Sequence, residues 1–189
     1  QQRNLYNIGV SYKKADAQTR GRYSLSKENQ IKLLKEAKEI GFEGIFILST
    51  CNRTEVTGFA EHPYQLIQLL CKYSDGNVEE FARISNVNKG NEAVNQLFRI
   101  GTGLESQILG DYEIVGQLKL AFKLAKKYKT INAHLERLIN LVLQASKKVK
   151  NTTQLSSGTT SVSYAAVQYI IENIPSYNSK NILVFGLGK

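Results

Sequence analysis

Few residues in this sequence have the chemistry of a nucleophile. Cys51 stands in Ser49-Thr50-Cys51-Asn52-Arg53, a polar stretch that follows the apolar run Gly44–Leu48 directly. A cysteine reacts as its thiolate, and Arg53 two positions on offers a positive charge that would favour that form. The same place also suits an inert small thiol at the end of a strand. Cys71 reads as core, because Leu66, Ile67, Leu69 and Leu70 precede it at helical spacing. A thiol nucleophile often has a histidine partner, and the chain has only His62 and His134. His62 precedes Pro63 in a loop and His134 begins a basic helix, so both read as surface residues. The two cysteines are twenty positions apart with no histidine cluster, and no metal site is expected.

Two further patterns could meet phosphate. Ile182-Leu183-Val184-Phe185 runs into Gly186-Leu187-Gly188-Lys189, a strand followed by G-x-G, as in the opening of a dinucleotide-binding turn. The third glycine, the helix and the ribose-binding acid of that fingerprint would lie past Lys189, so these residues alone make no dinucleotide site. Positions 119–150 hold nine Lys or Arg against the single acid Glu136, and the net charge of the whole chain is +9. Such a run fits either a solvated face or a surface for a polyanion such as nucleic acid. Only Tyr128 lies among these lysines, so base stacking has little support here.

The elements that must position these residues follow from periodicity. Leu5–Val10, Gly44–Leu48 and Glu55–Ala60 read as strands. Ser26 can cap a helix carrying Ile31, Leu33, Leu34, Ala37 and Ile40, which Gly41 stops. Pro63 starts another helix, and a short one near Val78–Ala82 leads to an edge strand at Arg83–Val87. Helical spacing then fills Asn91–Ile100, Asp111–Tyr128 and Ile131–Lys150, and the polar Asn151–Gly158 reads as a linker. A helix at Ser161–Asn173 and a strand at Asn181–Phe185 complete the pattern.

A 189-residue chain with 42% hydrophobic residues can build a sizeable core, and no apolar run approaches the ~18–20 residues of a membrane span. No leader-like stretch opens the chain, and two cysteines make no disulfide scaffold, so a cytoplasmic protein is expected. The absence of methionine fits a trimmed chain.

Three motifs in order carry a family resemblance. Ser49-Thr50-Cys51-Asn52-Arg53-Thr54-Glu55, then Leu97 through Ser106 (LFRIGTGLES), then Leu109 through Gln117 (LGDYEIVGQ) together resemble the glutamyl-tRNA reductase family. The likeness continues through Ser161–Val167 (SVSYAAV) to the G-x-G start. It implies an enzyme that reduces the glutamyl ester of a charged tRNA to glutamate 1-semialdehyde with NADPH, the entry to five-carbon tetrapyrrole synthesis. By position, Cys51 matches the nucleophile, and Thr50, Asn52, Arg53, Ser106, Asp111, Tyr112, Glu113 and Gln117 match substrate-holding positions. Gly186, Leu187, Gly188 and Lys189 match the start of the cofactor site. Glutamyl-tRNA, a second copy of the full-length chain and the aminomutase of the next step are the implied partners.

The sequence departs from the family at Gln96, where relatives carry a histidine that modulates activity, and at Asp111 and Glu113, which replace Glu and Gln. The resemblance implies an α+β catalytic domain over residues 1–150, a sheet-and-helix structure in two layers. Residues 151–189 are then a linker with the first helix and strand of a truncated Rossmann-type domain. Such a piece is expected to support acyl transfer only. The alternative is a non-catalytic RNA-binding module.

Overall fold

The computed structural model describes residues 3–107, 112–152, 162–181 and 183. In chain order the elements are β1 (Asn4–Ser11), α1 (Ala17–Tyr23), α2 (Lys27–Glu39), β2 (Ile45–Ser49), β3 (Arg53–Ala60) and α3 (Pro63–Tyr73). They continue with α4 (Val78–Ile84), β4 (Asn86–Lys89), α5 (Asn91–Gly101), α6 (Glu113–Lys127), α7 (Ala133–Thr152) and α8 (Val162–Asn173). The four strands form one sheet in the order β2-β3-β1-β4, antiparallel at every pairing. With α1–α2 and α3–α4 as the two crossovers, this is a split β-α-β-β-α-β unit.

Local chemistry sets the boundaries. The Ser26 side chain accepts from the Asn29 N–H and starts α2, while Gly41 at φ +94° turns the chain out of it. His62 caps α3 through a ring nitrogen that accepts from the Tyr64 N–H at 3.2 Å, with Pro63 at the first helical position. α1 lacks an apolar stripe, so periodicity does not predict it; Asp16 caps it by accepting from the Thr19 N–H at 2.7 Å. The edge strand starts later than expected. Arg83 and Ile84 stay in α4, whose Ser85 cap N–H donates to the Phe81 carbonyl, and β4 begins at Asn86.

Both faces of the sheet are covered. In an antiparallel sheet directly opposed residues share a face, so Asn7, Gly9 and Ser11 lie beside Thr57, Glu55 and Arg53. Ile8, Val10 and Val56 point the other way, into the core closed by α2 and α3. The Leu25 N–H at the head of α2 donates to the Ser49 hydroxyl on that second face, whereas Gln96 of α5 meets Glu55 on the first. A helical layer of α5 to α7 is thereby added to the two layers expected. A side chain at Gly9 would not fit, since a Cβ there would lie 2.5 Å from Glu55 Cγ and 2.6 Å from the Thr54 carbonyl oxygen.

The linker assigned to Asn151–Gly158 begins inside α7, which runs through Thr152; residues 153–161 lie outside the described residues. So do Ile182 and 184–189, and with them the expected terminal strand and the G-x-G residues. Among the described residues no helix is long and apolar enough to cross a membrane.

Candidate active site

Cys51 and Asn52 form a two-residue turn between β2 and β3. The Thr50 N–H donates to the Arg53 carbonyl at 2.8 Å and closes the hairpin. The Thr50 hydroxyl, nearly buried, accepts from the N–H groups of Asn52 and Arg53, each at 3.2 Å. Outside the turn, Tyr12 N–H donates to the Asn52 carbonyl at 2.9 Å, and Arg20 Nε to the Cys51 carbonyl at 3.3 Å. The turn is held from three sides while its thiol stands exposed. Cys71 is half-buried, and burial pushes its thiol up to about 11. Of the two cysteines, Cys51 has the access a nucleophile needs.

Arg53 occupies a different place from the one its spacing suggests. It is 2% exposed, and its guanidinium donates to Glu55 Oε2 at 2.8 Å and to the Glu105 carbonyl. Its charge is therefore compensated by Glu55 within the layer between sheet and α5. The cation anchored to the Cys51 backbone is Arg20, on the helix that sequence periodicity misses.

Glu55 is the hub of this layer. Its Oε1 accepts from Asn7 Nδ2 at 2.9 Å and from Gln96 Nε2 at 3.4 Å. Asn7 also donates to Thr57 Oγ1 and accepts from Asn88. Gln96, where the resemblance implies a histidine, thus acts as a hydrogen-bond donor to a buried carboxylate, a role that imidazole can also fill. Glu105 ties the next segment down, accepting from Lys13 Nζ at 2.6 Å and Arg99 Nε at 2.7 Å. Burial pushes the Glu105 pKa up, but the hydrogen bonds and charges of Lys13 and Arg99 outweigh it and hold the carboxyl below its ordinary range.

Ser106 follows Glu105 directly and is half-buried. Tyr112 and Glu113 open α6, where Glu113 complements the positive end of the helix. Tyr112 has a buried hydroxyl, Lys150 Nζ 5.6 Å from its ring centroid, and a pKa raised by burial, so it stays a phenol. Gln117 lines a cleft with Ser49, on the approach to the turn. Asp111 lies outside the described residues. The structure thus gathers Thr50, Cys51, Asn52, Arg53 and Ser106 at one end of the sheet, with Gln96 behind them and Gln117 alongside. Sequence reasoning missed Asn7, Lys13, Arg20, Glu55 and Glu105. The only local trace was the alternation Arg53-Glu55-Thr57, three polar residues on one face of a strand. Neither histidine joins the site, since His62 caps α3 and His134 packs its ring at a tilt against Phe59. Among the described residues no cluster of His, Cys, Asp and Glu could hold a metal.

These features define an α+β domain that presents one cysteine on a rigid turn backed by the buried Arg53–Glu55 ion pair. The chain belongs to the glutamyl-tRNA reductase family: the family described as "Glutamyl-tRNAGlu reductase, N-terminal domain" matches residues 8–153. Glutamyl-tRNA reductase of Christiangramia forsetii is 56% identical over 187 residues, 99% of this chain and 45% of that protein. The Aquifex aeolicus enzyme is 34% identical over 188 residues, covering 98% of this chain and 46% of its own length. The solved glutamyl-tRNA reductase from Methanopyrus kandleri superposes with a TM-score of 0.70 at 25% identity, over 89% of this chain and 39% of that one. The chain spans a little under half the length of these relatives.

Proposed function

We propose that this chain performs the acyl-transfer half of the reduction of glutamyl-tRNA to glutamate 1-semialdehyde. The observation that carries the reading is the exposed Cys51 thiol on a turn whose backbone is fixed by Thr50, Tyr12 and Arg20. The Cys51 thiolate attacks the ester carbonyl, the C–S bond forms, and the C–O bond to the terminal ribose breaks. The ribose oxygen leaves with a proton from water, and the glutamyl group remains as a thioester, a better hydride acceptor than the ester. Asn52, with Thr50 and Ser106, holds the glutamyl group, and Arg53, committed to Glu55 and the Glu105 carbonyl, braces them from the buried layer behind; Asp111, Tyr112, Glu113 and Gln117 close the substrate site. NADPH, implied by the family resemblance, would supply the hydride that converts the thioester to the aldehyde. Gly186, Leu187, Gly188 and Lys189, assigned to its site, lie outside the described residues, so the acyl-transfer step is the one this domain accounts for.

In this reading residues 1–150 are the catalytic domain and 151–189 begin the cofactor domain. The full-length protein works in the cytoplasm as a homodimer and hands its aldehyde to an aminomutase. Intact mass after mixing with glutamyl-tRNA tests the site: a glutamyl adduct on the wild-type chain, absent from Cys51→Ser, is expected. No adduct, or an adduct that survives Cys51→Ser, overturns it. RNA binding retained without any adduct would favour the non-catalytic module.

A further inference from the structure

A cleft of about 470 Å³ runs along the open edge of β2, with α2 on one side and α6 on the other. Its volume is in the range of small-ligand sites. Two hydrogen bonds fix its direction. The Leu25 N–H donates to Ser49 Oγ at one end, and the Ile45 N–H donates to the Thr130 carbonyl at the other, at 3.1 and 2.7 Å. Gln117 and Lys27 therefore sit at the Cys51 end, and Lys127 and Tyr128 at the far end. Ser49 is two residues from Cys51, within about 7 Å along an extended chain.

The apolar lining of the cleft comes from Ile31, Ile47, Leu120 and Leu124, of which Leu120 is 68% exposed. The rim carries Lys27, Lys123 and Lys127, and no acidic residue lines the cleft. None of these three lysines makes a salt bridge among the described residues, whereas Lys126 on the neighbouring face is paired with Glu136. At the far end Lys35 and Lys127 stand 5.8 and 5.9 Å from the Tyr128 ring centroid. An open strand edge with an apolar floor would by itself suit a peptide. Three cations without a counter-charge suit a polyanion with flat apolar faces.

We propose that this cleft seats the unpaired 3′ end of the charged tRNA, a short single-stranded RNA. Its terminal ribose lies at the Gln117–Ser49 end and its phosphates run out along Lys123 and Lys127. The inference rests on the glutamyl-tRNA reading of the Cys51 site. It makes the cleft the part of the domain that recognises the leaving group rather than the amino acid.

The test compares binding of this chain to uncharged glutamate-accepting tRNA and to the same tRNA without its unpaired 3′ nucleotides, across a salt series. Wild type is expected to bind the trimmed tRNA about tenfold more weakly, since losing apolar contact with the lining together with two lysine–phosphate contacts costs on that scale. Leu120→Ser, and separately Lys123→Ala with Lys127→Ala, should bind both tRNAs alike. The double lysine variant should also lower the log–log salt slope by about 1.4, from about 0.7 per single-strand phosphate contact. Lys147→Ala with Lys148→Ala, outside the cleft, should keep the tenfold gap. Equal wild-type affinity for the two tRNAs overturns the proposal, as does a gap that survives the cleft variants. Cleft variants that change self-association in sedimentation, while leaving the gap intact, would assign the cleft to a protein contact and also overturn it. The Cys51 adduct is measured separately: an adduct without a gap sinks only the cleft, and no adduct sinks the reading of the site.

Discussion

Limited alkylation at pH 8 should distinguish the two thiols by a wide margin. Cys71 lies half-buried on α3, and desolvation raises its pKa from 9.0 to about 11. That difference corresponds to about a hundredfold less thiolate at any pH below both values, and the thiolate is the form that reacts. Access through the α3 layer adds to that factor, while Cys51 stands exposed on its turn. A brief pulse of iodoacetamide on the native chain, quenched and mapped by peptide mass spectrometry, should label the exposed Cys51 while Cys71 reacts about a hundredfold more slowly than it does in denaturant. In denaturant both should label alike. Cys71 reacting as fast as Cys51 in the native chain would refute both the role of burial and the choice of nucleophile.

Glu105→Gln should flatten the acid limb of stability. The Glu105 carboxyl is held below 4.5 by Lys13 and Arg99 against its burial, so its contribution is present above that value and lost as pH falls through the lower folded value. Urea midpoints from pH 7 to 3 should therefore fall more steeply below about 4.5 in wild type than in the variant, and parallel curves would count against the ion-pair account. Gln96→His should place an imidazole beside the Glu55 carboxylate and raise its pKa above about 6.5, tempered by Arg53 on the same carboxylate. The variant then gains stability, present below about 6.5 and lost as pH rises through the folded value. A folded imidazole pKa near 7.5 would make that gain about 1.4 kcal/mol at most. A stability difference flat from pH 5 to 8 would show that the ring does not meet Glu55.

Much of the fold is legible because burial leaves a period. β1, β2 and β3 show as short apolar or β-branched runs, α2 announces itself by its cap Ser26, and α3 by Pro63 at its first position, though its cap His62 reads in sequence as a loop residue. α1 escapes because its sequence, AQTRGRY, buries only Tyr23 and is held by a cap and by tertiary contacts. β4 is shifted because its burial alternates weakly at the edge of the sheet, leaving propensity to compete with the end of α4. The layer of α5 to α7 is hidden for a different reason. The face it covers carries Asn7, Arg53, Glu55 and Thr57, which in sequence look like a solvated side.

The same fact explains why only half of the site is legible. Cys51 and its neighbours are contiguous, so their types and spacing are visible at once. Glu105 reaches Lys13 across 92 positions and Glu55 reaches Asn7 across 48, and no local signal encodes such pairings. A buried ion pair adds little to stability against an apolar replacement, yet removing one partner costs about 3–5 kcal/mol by stranding the other charge. The Arg53–Glu55 pair, with side chains 3% and 6% exposed, is in that position. Its consequence is geometric: two of the five guanidinium N–H groups of Arg53 are committed, one to Glu55 and one to the Glu105 carbonyl. That fixes the plane of the guanidinium and joins the start of β3 to the segment before Ser106. The turn carrying Cys51 is therefore coupled, through Arg53, to Glu105 across 52 positions of the chain by a contact that only the folded layer creates.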